Sequence, residues 1–212
     1  MRLVLASNNA KKLHELRELF SPLALDIVTQ GSLGIAEVEE PHITFIENAL
    51  AKARHAAAQA RAAAIADDSG LCVDALGGAP GVRSARYAEC LDEGSGATDR
   101  EQLRAQQDAA NNALLLERLR GVEDRRARFV SALVAVRSAD DPEPLVAFGR
   151  WPGAILAEPR GEGGFGYDPL MYIPQLGQSV AQLPPEVKNR HSHRAMAAQQ
   201  MLGLMREVWH LG

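Results

Sequence analysis

Leu3-Val4-Leu5-Ala6 is an unbroken apolar block of strand length, and it predicts a short buried strand opening the fold. After Ser7-Asn8-Asn9 the period changes. Leu13, Leu16, Leu19 and Phe20 recur at helical spacing until Ser21-Pro22 stops the run. Leu25-Asp26-Ile27-Val28 predicts a second strand. Residues 44–63 carry the clearest helix: Thr44 is placed as N-cap, Glu47 sits at capping-box spacing, and alanine is dense from Ala49 to Ala64. A short strand near Ala63-Ala64-Ile65-Ala66 should run out into Asp67-Asp68-Ser69-Gly70, and Gly77-Gly78-Ala79-Pro80-Gly81 predicts a tight loop. Residues 91–107 are polar and contain Gly and Ser, which predicts a mobile connection, with a helix following from about Asn111 to Arg120. Phe129 to Val136 predicts a central strand, Asp140-Asp141-Pro142 a turn, and Leu145 to Phe148 a returning antiparallel strand. A last helix starts near Ser192, with Ala198, Met201, Leu202, Met205, Val208 and Trp209 as its buried stripe. Strands and helices intermingle without strict alternation, so the class is α/β with a mixed sheet.

Composition narrows the setting. The 212 residues are 46% hydrophobic and 24% charged, which suits one globular domain large enough to fold without disulfides. The two cysteines, Cys72 and Cys90, are too few for a disulfide framework and suit a reducing compartment. A net charge of −4 and the lack of a basic stripe argue against a nucleic-acid partner. No apolar run reaches the ~18 residues of a membrane span, and the first residues are too briefly apolar for a secretory signal. The expectation is a cytoplasmic protein with neither nucleic acid nor membrane as partner.

Four polar clusters carry candidate chemistry. Ser7-Asn8-Asn9-Ala10-Lys11-Lys12 joins a strand to a helix N-terminus, where unpaired N–H groups and lysines suit a phosphate chain; a helix cap followed by surface lysines is the plainer reading. Glu39-Glu40, with Glu47 and Lys52 beyond, offers carboxylates for Mg2+, although capping already explains Glu47. Asp67-Asp68-Ser69-Gly70 leaves an apolar strand, so one carboxylate is suited to hold a metal or activate water, against a turn built from Asp and Ser. Gly161-Glu162-Gly163-Gly164-Phe165-Gly166 matches G-x-G-x-x-G literally, but Tyr167-Asp168-Pro169 follows where a helix should open. A loop presenting Phe165, Tyr167 and Asp168 to a base fits better, with core aromatics in a hairpin as the alternative. Lys188 to Arg194 then places basic residues at a helix start, which is unfavourable unless an anion or a carbonyl ligand compensates. There is no P-loop, no G-x-S-x-G elbow and no H-E-x-x-H.

Taken together and in order, Ser7-Asn8-Asn9-x-Lys11-Lys12, Thr44-Phe45-Ile46-Glu47-Asn48-Ala49-x-x-Lys52-Ala53, Ala66-Asp67-Asp68-Ser69-Gly70-Leu71, Leu76-Gly77-Gly78-Ala79-Pro80-Gly81, Ser84-Ala85-Arg86-Tyr87, Gly164-Phe165-Gly166-Tyr167-Asp168-Pro169 and Ser192-His193-Arg194 resemble the inosine triphosphate pyrophosphatase family, in its bacterial non-canonical purine NTP pyrophosphatase branch. The resemblance runs from about residue 3 to residue 205. It implies a single two-lobed domain over 1–212, built on an elongated mixed sheet with flanking helices and a nucleotide cleft between the lobes, and a homodimer. It implies Mg2+-dependent hydrolysis of ITP, dITP and XTP to the monophosphate and pyrophosphate, clearing deaminated purines from the nucleotide pool. A pyrophosphatase with another base preference and a non-catalytic nucleotide sensor are the competing readings.

Residue by residue, Asp68 matches the family's general base and metal-linked aspartate, and Ser69 its substrate-binding neighbour. Ser7, Asn8, Asn9, Ala10, Lys11 and Lys12 match the triphosphate loop, and Lys52 resembles the helix lysine that reaches the phosphates. Glu40 resembles the metal-binding glutamate, with Glu37 and Glu39 as neighbouring alternatives. Phe165, Gly166, Tyr167 and Asp168 match the base-binding segment, and Lys188, His193 and Arg194 the base-recognising residues. The segment from about Glu93 to Gln107 is longer than in shorter members and is expected to be a surface loop.

Overall fold

Seven strands hydrogen-bond in the order β2-β1-β3-β4-β5-β6-β7. They are β1 (Arg2–Leu5), β2 (Asp26–Thr29), β3 (Ala63–Val73), β4 (Arg126–Val136), β5 (Leu145–Ile155), β6 (Met171–Ile173) and β7 (Gln178–Ser179). The structure, a computed structural model, describes residues 1–8, 10–88 and 100–211, with the side chains of Ala10, Lys11, Glu15, Arg100 and Glu101 left out. β1 pairs in parallel with both β2 and β3, while β6 pairs antiparallel with β5 and β7, so the sheet is mixed as the sequence predicts. The two strands expected over 129–148 are present as the neighbours β4 and β5. Five α-helices are described: α1 (Ala10–Leu19), α2 (Phe45–Ala60), α3 (Arg100–Arg118), α4 (Pro185–His191) and α5 (His193–Val208).

The chain forms two compact units. The first comprises residues 1–69, 130–150 and 189–212, and the second comprises 70–129 and 151–188. In the first, strand alternation divides the core in two. Leu3, Leu5, Ile65, Leu133 and Ala135 pack with α1 and α5 through Leu16, Phe20, Met201 and Met205. Val4, Ala64, Ala66, Val134 and Val136 face the other way, onto Ala49, Ala53, Ala56 and Ala57 of α2. Methyl-sized side chains at helical spacing let α2 lie close to the sheet. It starts at Thr44, whose hydroxyl accepts from the Glu47 N–H and donates to the Glu47 carboxylate at 2.6 Å. It ends at Arg61 in the left-handed conformation. In the second unit Leu71, Leu115, Leu119, Phe129, Trp151, Tyr167 and Met171 form the core.

Two expectations are corrected here. β3 does not end at Ala66; it continues through Asp67-Asp68-Ser69-Gly70 to Val73. Partners for both carboxylates make the extended path affordable. Helix α3 begins at Arg100, so residues 100–107 belong to a helix rather than a mobile connection or surface loop, and the remainder of that segment lies outside the described residues. Asn111 is buried and answers the Ala88 N–H and the Ser84 carbonyl, which gives α3 a polar inner face. No helix among the described residues is long and apolar enough to cross a membrane.

Candidate functional site

Residues 67 and 68 are neighbours on a strand, so their side chains leave opposite faces. Asp68 points to the α2 side. Its Oδ1 accepts from Lys52 Nζ at 3.1 Å, and its Oδ2 lies 3.4 Å from Asn48 Nδ2. Lys52 also donates to Glu40 Oε1 at 2.9 Å and to the Asp67 carbonyl at 3.0 Å. Those three acceptors match the three N–H bonds of an ammonium group. Lys52 thus joins Asp68 to Glu40.

The two carboxylates are tuned apart. Burial lifts the Asp68 carboxyl above its usual range; Lys52 opposes the shift, while the Glu40 and Asp67 charges reinforce it. Burial would also lift Asp67, but Lys12 and then Arg194 outweigh it and hold that carboxyl well below the usual range. Lys52 loses basicity to burial, yet Asp68 and Glu40 more than restore it, and it stands above its ordinary value. Adjacent carboxylates pushed in opposite directions are an arrangement suited to separate roles.

Glu40 and Asp68 oxygens already converge on one cation, Lys52. Hard carboxylate oxygens of this kind fit a divalent ion such as Mg2+, which takes one or two protein carboxylates and keeps other oxygen ligands. Among the described residues no group of three His, Cys, Asp or Glu side chains gathers as a metal cage. Of the alternatives, Glu37 is exposed and accepts from Asn8 Nδ2 at 3.0 Å, and Glu39 is exposed.

On the α1 and α5 side, Asp67 Oδ2 pairs with Lys12 Nζ at 2.7 Å and lies 3.5 Å from Arg194 Nε. Ser69 and Ser131 hydroxyls donate to Oδ1. Arg194 sits in the first turn of α5, whose N-cap Ser192 accepts from the Ala195 N–H. The adverse placement of a basic residue at a helix start is therefore offset by Asp67. Ser7 and Asn8 lie between β1 and α1 as expected. Asn9 falls outside the described residues, as do the side chains of Ala10 and Lys11.

A further cluster lies in the second unit. Phe165 is 45% exposed, and Lys188 Nζ stands 4.4 Å from its ring centroid. Asp168 Oδ2 accepts from Lys188 at 2.5 Å and from the Phe165 N–H at 2.9 Å. Gly164 makes this closure possible: its φ is +78°, and a Cβ there would come 2.1 Å from Asp168 Oδ2. The residues after the glycines form no helix, in line with the rejected dinucleotide motif. The expectation of a loop presenting all three side chains is corrected. Tyr167 and Asp168 are only 5% and 3% exposed, and Phe165 alone faces solvent. The Tyr167 ring belongs to the core, and its hydroxyl donates to the Ser84 carbonyl at 2.9 Å. The loop backbone is held by α3, where Asp108 accepts from the Gly166 N–H and Asn112 donates to its carbonyl.

The sequence pointed to no role for Asn48, Ser131, Asp108 or Asn112, and it offered Asp67 only as one of two acids of which one would hold a metal or activate water. Asn48 is fully buried; its Oδ1 accepts from the His42 N–H at 3.0 Å and its Nδ2 donates to the His42 carbonyl at 3.2 Å. The one available signal was its polarity among the alanines of a buried helix face.

The chain is 72% identical over 209 residues to a dITP/XTP pyrophosphatase of Methylibium petroleiphilum, covering 99% of both, and 68% identical over 211 residues to one of Leptothrix cholodnii, covering 100% of both. The structure of a HAM1 protein from Coxiella burnetii superimposes with a TM-score of 0.86 at 41% identity, over 98% of this chain and 100% of that one. The Staphylococcus aureus Ham1 protein gives 0.82 at 36% identity, over 98% and 99%. The model of the Ham1 family matches residues 3–204, and the chain belongs to that family.

Proposed function

We propose that this chain hydrolyses the non-canonical purine nucleoside triphosphates ITP, dITP and XTP to the monophosphate and pyrophosphate. The names of its relatives support the substrate class. The observation that carries the chemistry is the Asp68–Lys52–Glu40 arrangement, in which a carboxylate with raised basicity is fixed by a lysine and paired with a second carboxylate.

Asp68 accepts a proton from the attacking water as its oxygen bonds to phosphorus and the bridging P–O bond breaks. Lys52 fixes the direction of Oδ1. Lys12, at the positive end of α1, offsets phosphate charge. Mg2+ held by Glu40 and Asp68 would neutralise negative charge developing on the phosphate oxygens. Phe165 offers its exposed face for stacking on the purine, and Lys188 and Asp168 fix that ring. His193 and Arg194 read the base. A 6-oxo purine accepts from donors there, whereas the 6-amino group of adenine leaves them unpaired, which is a strong basis for rejection. The homodimer and the cytoplasmic setting implied by the resemblance belong to the same proposal.

Replacing Asp68 by Asn tests the mechanism. Pyrophosphate release from ITP should fall by about a thousandfold or more in kcat, with little change in nucleotide binding. Unchanged turnover would remove Asp68 from the reaction.

A further inference from the structure

Asp67 touches no substrate in the proposed reaction, yet its carboxylate meets Lys12, Arg194, Ser69 and Ser131. Its carboxylate is two-sided. Oδ1 takes the Ser69 and Ser131 hydroxyls at 2.5 and 2.7 Å, and Oδ2 takes Lys12 at 2.7 Å with Arg194 at 3.5 Å. The side chain is 4% exposed. A carboxylate this deep is costly unless it is both paired and hydrogen-bonded, and here it is both. Buried ionic clusters add little stability beyond what apolar residues of the same volume would give. This one brings together a lysine of α1 and the first-turn arginine of α5, and the helix end itself disfavours that arginine. The two hydroxyls fix the carboxylate plane, and Oδ2 therefore faces the two cations in one direction only.

We infer that Asp67 is the positioning residue for base discrimination: by holding Arg194 and Lys12 on one oxygen, it sets the guanidinium where a purine 6-oxo group is read. The inference rests on the assignment of Arg194 to the base.

Asp67→Asn is the informative change. The Asn oxygen still accepts from both serines, and its NH2 then faces Lys12 and Arg194, donor against donor. The kcat/KM for ITP should fall at least about tenfold further than that for ATP, so the ITP/ATP ratio contracts by that factor. A purely structural role lowers both substrates together, and an unchanged ratio in a cooperatively melting variant overturns the inference. Should Asp67→Asn fail to fold, Ser131→Ala decides: it removes one hydroxyl from Oδ1 and leaves every charge in place. It should contract the ratio by about twofold or more, and no contraction overturns the inference. Arg194→Ala in the same assay separates the two levels. A ratio that contracts in Arg194→Ala but not in Asp67→Asn refutes the role of Asp67 alone. A ratio unmoved by Arg194→Ala removes the base reading, and the inference with it.

Discussion

Replacing Asn48 by Ala tests how the Glu40 segment is tied to the catalytic strand. Asn48 answers both the N–H and the carbonyl of His42, two residues after Glu40, and reaches toward Asp68 at 3.4 Å. Ala removes both bonds and leaves two partly buried backbone groups without that partner. At a net value of about 1 kcal/mol each, the loss is about 2 kcal/mol. The 3.4 Å contact lies at the limit of a hydrogen bond and adds little. For a chain of this size about 2–4 °C of Tm accompanies each kcal/mol, so Tm should drop about 4–8 °C. Activity should show a second effect. With the segment released, Glu40 is less well held beside Lys52 and Asp68, so the Mg2+ concentration for half-maximal ITP hydrolysis rises. Asn48→Asp should be worse than Ala, because a carboxylate oxygen would face both the His42 carbonyl and Asp68. Thermal melts at pH 7 and Mg2+ titrations read the two effects. A Tm shift below about 1 °C together with an unchanged titration would refute the clamp.

Other outcomes follow from the same geometry. Gly149→Ala should destabilise strongly and blunt ITP selectivity, because its Cβ would come 1.7 Å from the His193 carbonyl at the start of α5; a wild-type melt would contradict this. Phe165→Ala should weaken nucleotide binding by about 1–3 kcal/mol with the melt intact. Tyr167→Phe should cost about 1 kcal/mol of stability and leave the ITP/ATP ratio alone, and equilibrium titration beside thermal denaturation distinguishes the two aromatics. Asp67 and Asp68 should act oppositely on stability. Asp67, lowered when folded, contributes above the usual 3.8 and loses that contribution as pH falls toward its folded value. Asp68, raised when folded, favours the fold below 3.8 and loses that contribution as pH rises through its folded value. Asp68→Asn should therefore melt no lower than wild type at pH 7 while inactive, and a clearly lower melt would contradict the balance of burial and pairing.

What the sequence made legible was local. Thr44, Glu47 and the alanine run fix α2, and Ser192 with its apolar stripe fixes α5, because caps and periodicity act within a few residues. What escaped depended on distant partners. Asp67-Asp68-Ser69-Gly70 has the composition of a turn, and it stays extended because Lys12, Lys52 and Ser131 meet the carboxylates from other elements. The part of α3 before Leu114 lacks an apolar stripe because its inner face works by hydrogen bonds, Gln107 donating to the Ala88 carbonyl and Asn111 accepting from the Ala88 N–H. Phe165 and Tyr167 looked equivalent in sequence. The strand-core packing of Tyr167 separates them. Motif order over nearly the whole chain pointed to the family, while the separate duties of Asp67 and Asp68 needed the two faces of β3.

The most direct test of the account is a product analysis. The protein is incubated with Mg2+ and, separately, ITP, dITP, XTP, ATP, GTP and CTP, and monophosphate, diphosphate, pyrophosphate and phosphate are resolved. The account predicts monophosphate and pyrophosphate from ITP, dITP and XTP, with little turnover of ATP. Release of phosphate with diphosphate, or equal turnover of ATP, would contradict it.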